Sequence, residues 1–167
     1  MTHAEQVVLR RAARVVLVDE QDHVLMIHGF DPRTPHASYW YTLGGGIADG
    51  EEPRAAAVRE VWEETGLRLA PEDLVGPIHE DTVVFPFDGA VIHQRQVFFA
   101  ARTSRFDPDP AGLEETEIRS TVAIGWVPAR ALDQVAETVF PANLPALVDA
   151  LVASEAATSA PTSQNWL

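Results

Sequence analysis

Apolar and polar positions along the chain fall into short blocks that read as strands arranged around two helices. Residues 14–18 (RVVLV) and 24–28 (VLMIH) are apolar runs separated by the polar stretch Asp19-Glu20-Gln21-Asp22-His23. This pattern predicts two strands buried on both faces and joined by a hairpin-like loop. Residues 1–12 read as a loose arm or edge segment. Residues 29–38 carry Pro32 and Pro35 and read as a loop, and residues 39–43 read as a short strand running into the glycines Gly44, Gly45 and Gly46. Residues 75–87 and 90–102 predict a long β-hairpin turned at Asp88-Gly89, with Pro86 placing its first arm at a sheet edge. In the second arm His93 and Arg95 share one face and Gln94 and Gln96 the other, so one of these pairs lines a pocket or faces solvent. Residues 103–120 read as a Pro- and acid-rich loop, 122–127 as a last strand, 128–134 as a short helix and 143–153 as a terminal amphipathic helix. One domain over residues 1–153 is expected, followed by a flexible tail over 154–167 that is rich in Ala, Ser and Thr.

The most informative stretch is the helix between the glycines and Leu67. Asp49-Gly50 marks a turn, Glu51, Glu52 and Pro53 form an acidic first turn, and Gly66 is placed to stop the helix. At about 100° per residue, Ala55, Val58, Val61, Trp62 and Thr65 share an arc expected to face the core. Glu60, Glu63 and Glu64 lie at i, i+3 and i+4 on the opposite face, above Ala56 and Ala57. Like charges at that spacing cost a bare helix a few tenths of a kcal/mol per pair. A hard divalent cation such as Mg²⁺ reverses the sign, because it prefers oxygen ligands. A solvated acidic face explains the same pattern without a metal.

Composition narrows the field. At 167 residues with 46% hydrophobic and 22% charged, the chain suits one globular domain with a sizeable core. A formal charge of −13 disfavours non-specific binding to nucleic acid or anionic membrane, yet leaves room for a polyanionic small molecule where metal supplies positive charge. The absence of cysteine excludes disulfides and thiolate metal sites and fits a cytoplasmic location. No apolar run approaches a membrane span. The six histidines show no paired ligand spacing, and neither a G-x-S-x-G elbow nor a Walker loop is present.

Residues 45–67 resemble the Nudix box, G-x5-E-x7-R-E-U-x-E-E-x-G-U with U aliphatic. Gly45, Glu51, Arg59, Glu60, Val61, Glu63, Glu64, Gly66 and Leu67 fill every fixed position. Leu43 stands where many members of that family carry proline, and Ala48 where many carry glutamate; both lie outside the fixed positions. The resemblance implies an α/β (α+β) fold, the family's α/β/α sandwich with a mixed β-sheet between helices. It also implies hydrolysis of a diphosphate linked to another moiety, with Mg²⁺ or Mn²⁺.

By the same resemblance, Glu60, Glu63 and Glu64 are metal ligands, joined by the Gly44 carbonyl, and Glu51 and Arg59 are structural. For the general base, a box glutamate (Glu64 or Glu60) competes with a carboxylate of the downstream loop, where Glu117 is preferred over Glu114 and Glu115. Arg33, Tyr41 and Arg95 are candidate substrate contacts. Val83-Val84-Phe85 occupies the stretch where some subfamilies carry a marker proline or tyrosine, so the expected substrate defaults to a nucleoside triphosphate or another nucleoside diphosphate derivative. The partner expected is that small molecule, with no nucleic acid or membrane, for a monomer or homodimer. A non-catalytic module that binds or senses nucleotide derivatives is the alternative, although such modules often lack box glutamates. Isoprenyl diphosphate isomerases of the family need a cysteine that this chain does not have.

Overall fold

In the computed structural model, residues 6–159 are described. Seven strands form one sheet: β1 (Gln6–Val18), β2 (His23–Phe30), β3 (Ser38–Gly46), β4 (Val75–Phe87), β5 (Ala90–Arg102), β6 (Thr121–Pro128) and β7 (Thr138–Phe140). The order is β4-β5-β1-β2-β3-β7, with β6 paired to β2 and a further pairing between β1 and β3. β1 runs parallel to β5 and β7 parallel to β3, while the other pairings are antiparallel. The sheet is therefore mixed.

Helices α1 (Pro53–Thr65) and α3 (Leu144–Ser159) cover its two faces. Alternation along the strands divides the core accordingly. Val15, Leu17, Leu25, Ile27 and Leu43 meet Ala56, Ala57 and Val61 of α1, whereas Val16, Val18, Val24, Met26 and Phe98 meet Leu144, Val148 and Leu151 of α3. This is the α/β/α sandwich expected.

The β4–β5 hairpin turns at Asp88-Gly89 and β4 is an edge strand, both as expected. Three readings change. Residues 6–11 are not a loose arm but the outer half of β1, because their backbone pairs in register with residues 90–95 of β5; residues 1–5 lie outside the described residues. Residues 115–120, expected to be loop, form a short helix α2 (Glu115–Ser120), whose start is capped as the Glu117 carboxylate accepts from the Glu114 N–H at 2.8 Å. The terminal helix continues to Ser159, past the Ala153 expected as its end, and Arg102 of β5 grips its Glu155 at 2.8 Å. The rest of the expected tail, 160–167, lies outside the described residues.

Candidate active site

The site begins at the end of β3. The strand expected to end at Leu43 continues through the three glycines, with Gly44, Gly45 and Gly46 paired to Arg14, Ala13 and Ala12 of β1. Gly44 has φ +126, and a Cβ there would stand 2.1 Å from the Ala13 carbonyl oxygen, so only glycine lets β3 lie this close to β1. Its two backbone groups are both engaged. The N–H donates to Glu64 Oε2 at 2.9 Å, and the carbonyl accepts from Arg14 Nη1 at 2.8 Å.

Helix α1 follows, ended by Gly66, whose N–H donates to the Trp62 carbonyl. Its inward face differs from the expected one. Ala56, Ala57, Glu60, Val61, Glu64 and Thr65 are buried, while Trp62 is 44% exposed and Ala55 lies on the surface. The reason is steric. Small Ala56 and Ala57 and the bare glycines of β3 let the helix settle on the sheet with two glutamates beneath it. Trp62 instead stacks outside under the Arg68 guanidinium.

Glu60 and Glu64 thus lie in the interior, 6% and 2% exposed. Burial raises both carboxyls above their ordinary range. For Glu64 the Gly44 N–H opposes the shift and the Glu60 charge adds to it; for Glu60 the Arg59 charge opposes it and Glu63 adds. Glu117 of α2 completes the group: one oxygen from each of Glu60, Glu64 and Glu117 lies within 4.8 Å of the others. Glu117 is brought there by a tethered loop. The Asp109 N–H donates to the Thr65 carbonyl at 2.9 Å, Gly112 lies against the Glu63 backbone, and the Trp126 indole N–H donates to the Phe106 carbonyl at 2.9 Å.

Arg59 holds the other side. Its Nε and Nη2 grip Glu51 at 2.8 and 3.0 Å, Nη2 also donates to the Gly46 carbonyl at 2.9 Å, and Nη1 reaches Glu60 at 3.0 Å and Glu63 at 3.1 Å. Glu63 therefore sits on the outer shoulder, paired with Arg59. Hydrogen bonding to Arg59 holds the Glu51 carboxyl below its usual value against burial, and Glu51 in turn accepts from the Ala48 N–H.

The remaining predicted residues are spread out. Tyr41 lies half-buried beneath the Arg14 guanidinium at 5.9 Å, and burial, followed by the Glu64 charge, pushes its phenol well above the ordinary value. Arg33 is exposed and lies against the β4–β5 turn at Gly89. Arg95 is exposed, with Glu80 at 3.7 Å. Glu114 caps α2 and Glu115 is exposed in its first turn. Of the Gln94/Gln96 and His93/Arg95 alternatives, the glutamines are buried and joined at 3.0 Å, and His93 and Arg95 face outward. Sequence reasoning missed Arg10 and Arg14, which stand beside the carboxylates. Their i, i+4 spacing on an extended segment, which puts both on one side, was the available signal.

Carboxylate oxygens gathered within 4.8 Å of one another, braced by arginines and glycine backbone, suit hard cations and the phosphates they bind. The NUDIX domain model matches residues 8–147, and the chain belongs to the Nudix hydrolases, a family of pyrophosphohydrolase enzymes. Among curated relatives, the MutT-like protein of Streptomyces ambofaciens is 32% identical over 136 residues, covering 81% of this chain and 73% of that protein. The RNA pyrophosphohydrolase of Roseobacter denitrificans is 35% identical over 86 residues, 46% of this chain; the match spans only about half (53%) of that relative's length. Solved structures agree on the fold. A NUDIX hydrolase from Nitrosomonas europaea superposes with TM-score 0.62 at 20% identity, covering 88% of this chain and 90% of that one. The E. coli dihydroneopterin triphosphate pyrophosphohydrolase gives 0.62 at 18% identity, with 88% and 99% covered. Among the described residues, no helix is long and apolar enough to cross a membrane.

Proposed function

We propose that this chain hydrolyses the diphosphate linkage of a nucleoside triphosphate or related nucleotide derivative, with Mg²⁺ or Mn²⁺ held by Glu60, Glu64 and Glu117. The convergence of these three carboxylates within 4.8 Å carries the reading. Two of them are buried, so their mutual repulsion is strong unless a cation offsets it, and all-oxygen donors suit Mg²⁺ or Mn²⁺. The Gly44 carbonyl, with one lone pair engaged by Arg14, keeps a second for the same cation. Glu63 joins only by releasing Arg59.

When bound, the cation neutralises phosphate charge and makes phosphorus open to attack by water. The chain's residues do the rest. Glu117 is the least buried of the three, with one oxygen fixed by the Glu114 N–H, and accepts the proton of the attacking water. Arg59 and Glu51 hold the turn before α1, and Arg14 holds Gly44, so the carboxylates keep their spacing as charge moves. A chain without cysteine suits the reducing cytoplasm in which nucleotides are found.

The test is a panel of nucleoside triphosphates, diphosphates and nucleotide derivatives assayed for phosphate or pyrophosphate release with Mg²⁺ and with chelator. Metal-dependent release that Glu64→Gln abolishes is expected. Tight binding of a nucleotide with no release by the unaltered protein would leave a binding or sensing module instead.

A further inference from the structure

Outward from Arg11, β1 has a neighbouring strand on one side only. Two backbone bonds fix which residues point where. The Val18 carbonyl accepts from the Thr103 N–H on the β5 side, and the Arg11 carbonyl accepts from the Ile47 N–H on the β3 side, at 3.0 and 2.9 Å. Backbone groups of successive residues point to opposite sides of a strand, so even-numbered residues of β1 bond to β5 and odd-numbered ones point towards β3. But β3 ends at Gly46, and its register with β1 stops at Ala12. The N–H and C=O groups of Val7 and Leu9 therefore face an open edge, and among the described residues no strand pairs with them there. Their side chains are also bare, Val7 being 57% and Leu9 82% exposed.

An open edge is a template for another strand, and proteins usually blunt it with charge, proline or a bulge. The edge at β4 is blunted in this way: it carries Pro77, Glu80, Asp81 and Pro86 and shifts register between Val75 and His79. The β1 edge, QVVLR over residues 6–10, has no proline, no acid and no break in register. Its sequence suits its own copy. When two such edges run antiparallel about Val8, Val7 of each falls opposite Leu9 of the other, and the residues whose backbones face outward exchange both bonds. Val8 then meets Val8, and Gln6 meets Arg10. This alignment uses the whole open stretch, because Ile47 already occupies the place beside Arg11. Charge favours the same approach. Chains of formal charge −13 repel over most of their surface, but residues 6–11 carry two arginines and no acid, so each copy turns a positive edge to a negative partner.

We propose that the chain forms a homodimer by antiparallel pairing of the outer half of β1 with that of a second copy, which joins two sheets into one across a two-fold axis at Val8. So short a pairing buries less than the roughly 800 Å² per partner of a standard interface, so the dimer is a weak one that exchanges with monomer in the micromolar range. The pairing also sets Gln6 of the second copy across from Arg10, whose guanidinium lies beside Gly46 under the charges of Glu60 and Glu117. Each copy thus adds a side chain at the rim of the other's active site.

The absence of cysteine allows a test of the register on the full chain. Val8→Cys sets two thiols at a pair whose Cα atoms lie about 4.5 Å apart, within disulfide reach. Mild oxidation should convert most of this variant to a disulfide-linked dimer, whereas Val84→Cys, exposed two strands away, should stay monomeric. Sedimentation velocity over a concentration series should show the unaltered chain passing from monomer to dimer. Leu9→Pro should raise the midpoint about tenfold or more, the scale of losing the two symmetry-related edge bonds. It removes an N–H that points to the open edge and spares the bonds to β5, so the monomer's melting temperature should stay close to wild type. A monomer at every concentration overturns the pairing. Equal cross-linking of Val8→Cys and Val84→Cys overturns it as random collision. Loss of the dimer in Val84→Lys overturns it in favour of contact through the exposed face of the hairpin.

Discussion

The Glu60 carboxylate fills the space that a side chain on Gly45 would need: a Cβ at Gly45 would fall 2.6 Å from its carboxyl carbon. The two residues come from different elements, β3 and α1, and each explains the other. Glycine is required at the strand end because a buried carboxylate crosses over it, and the carboxylate stays buried because the glycine leaves it room.

Gly45→Ala therefore either displaces Glu60 or lifts α1 from the sheet. A loss of about 1–3 kcal/mol in unfolding free energy is expected, the range for overpacking a close contact. The rise in melting temperature produced by Mg²⁺ or Mn²⁺ should fall with it. A variant whose metal-induced shift matches the wild type would show that Glu60 does not bind the cation.

Arg59 bridges Glu51, the Gly46 carbonyl, Glu60 and Glu63. Arg59→Ala leaves Glu60 without its nearest cation and unties the turn before α1. Denaturant unfolding should show a loss of about 1–3 kcal/mol, the scale of charge-assisted hydrogen bonds. An unchanged midpoint with lost turnover would move Arg59 from bracing the site to direct contact with substrate.

Glu117 is reached only through the tether of the 103–114 loop to α1. With Glu117→Gln, kcat should drop by about 10²–10⁴-fold, the scale of a lost general base, while KM changes much less. The acidic limb of the kcat profile should vanish at saturating metal. Recovery of turnover on adding more metal would leave Glu117 its part in holding the cation and take from it the role of base. Near wild-type turnover with the acidic limb intact would exclude it from the reaction.

Away from the site, Asp19 anchors the β1–β2 turn. Burial alone would raise its carboxyl. The N–H groups of His23 and Gln21, at 2.8 and 2.9 Å, and the Arg105 guanidinium at 2.7 Å outweigh burial and hold it below the ordinary range. A depressed folded-state value means that the stabilisation is complete above the unfolded aspartate value of about 3.9 and is lost as pH falls through the folded one. The unfolding free-energy difference between wild type and Asp19→Asn should be about 1.5–3 kcal/mol near neutral pH. It should stay level down to about pH 5 and shrink below about pH 4. A difference that persists undiminished at the acid end would assign the cost to packing rather than charge.

Much of this protein is legible in its residues. Apolar runs divided by polar stretches mark the strands, Asp88-Gly89 sets the long hairpin, Pro53 and Gly66 bound α1, and the spacing of Glu60, Glu63 and Glu64 marks the chemistry. These are local properties, decided by propensity, periodicity and backbone freedom within a turn or two of chain. What a residue faces is not local. The apolar arc of α1 points towards Trp62, yet the helix buries Glu60 and Glu64, because the fit depends on glycines of a strand 14 or more residues earlier. Likewise, residues 6–11 look unstructured until β5 pairs with them. Arg11 meets Arg95 only through that register, and Glu117 meets Glu64 only because the Asp109 N–H ties its loop to the end of α1. Long-range pairing and steric fit, which leave no periodic trace in the chain, decided the composition of the site.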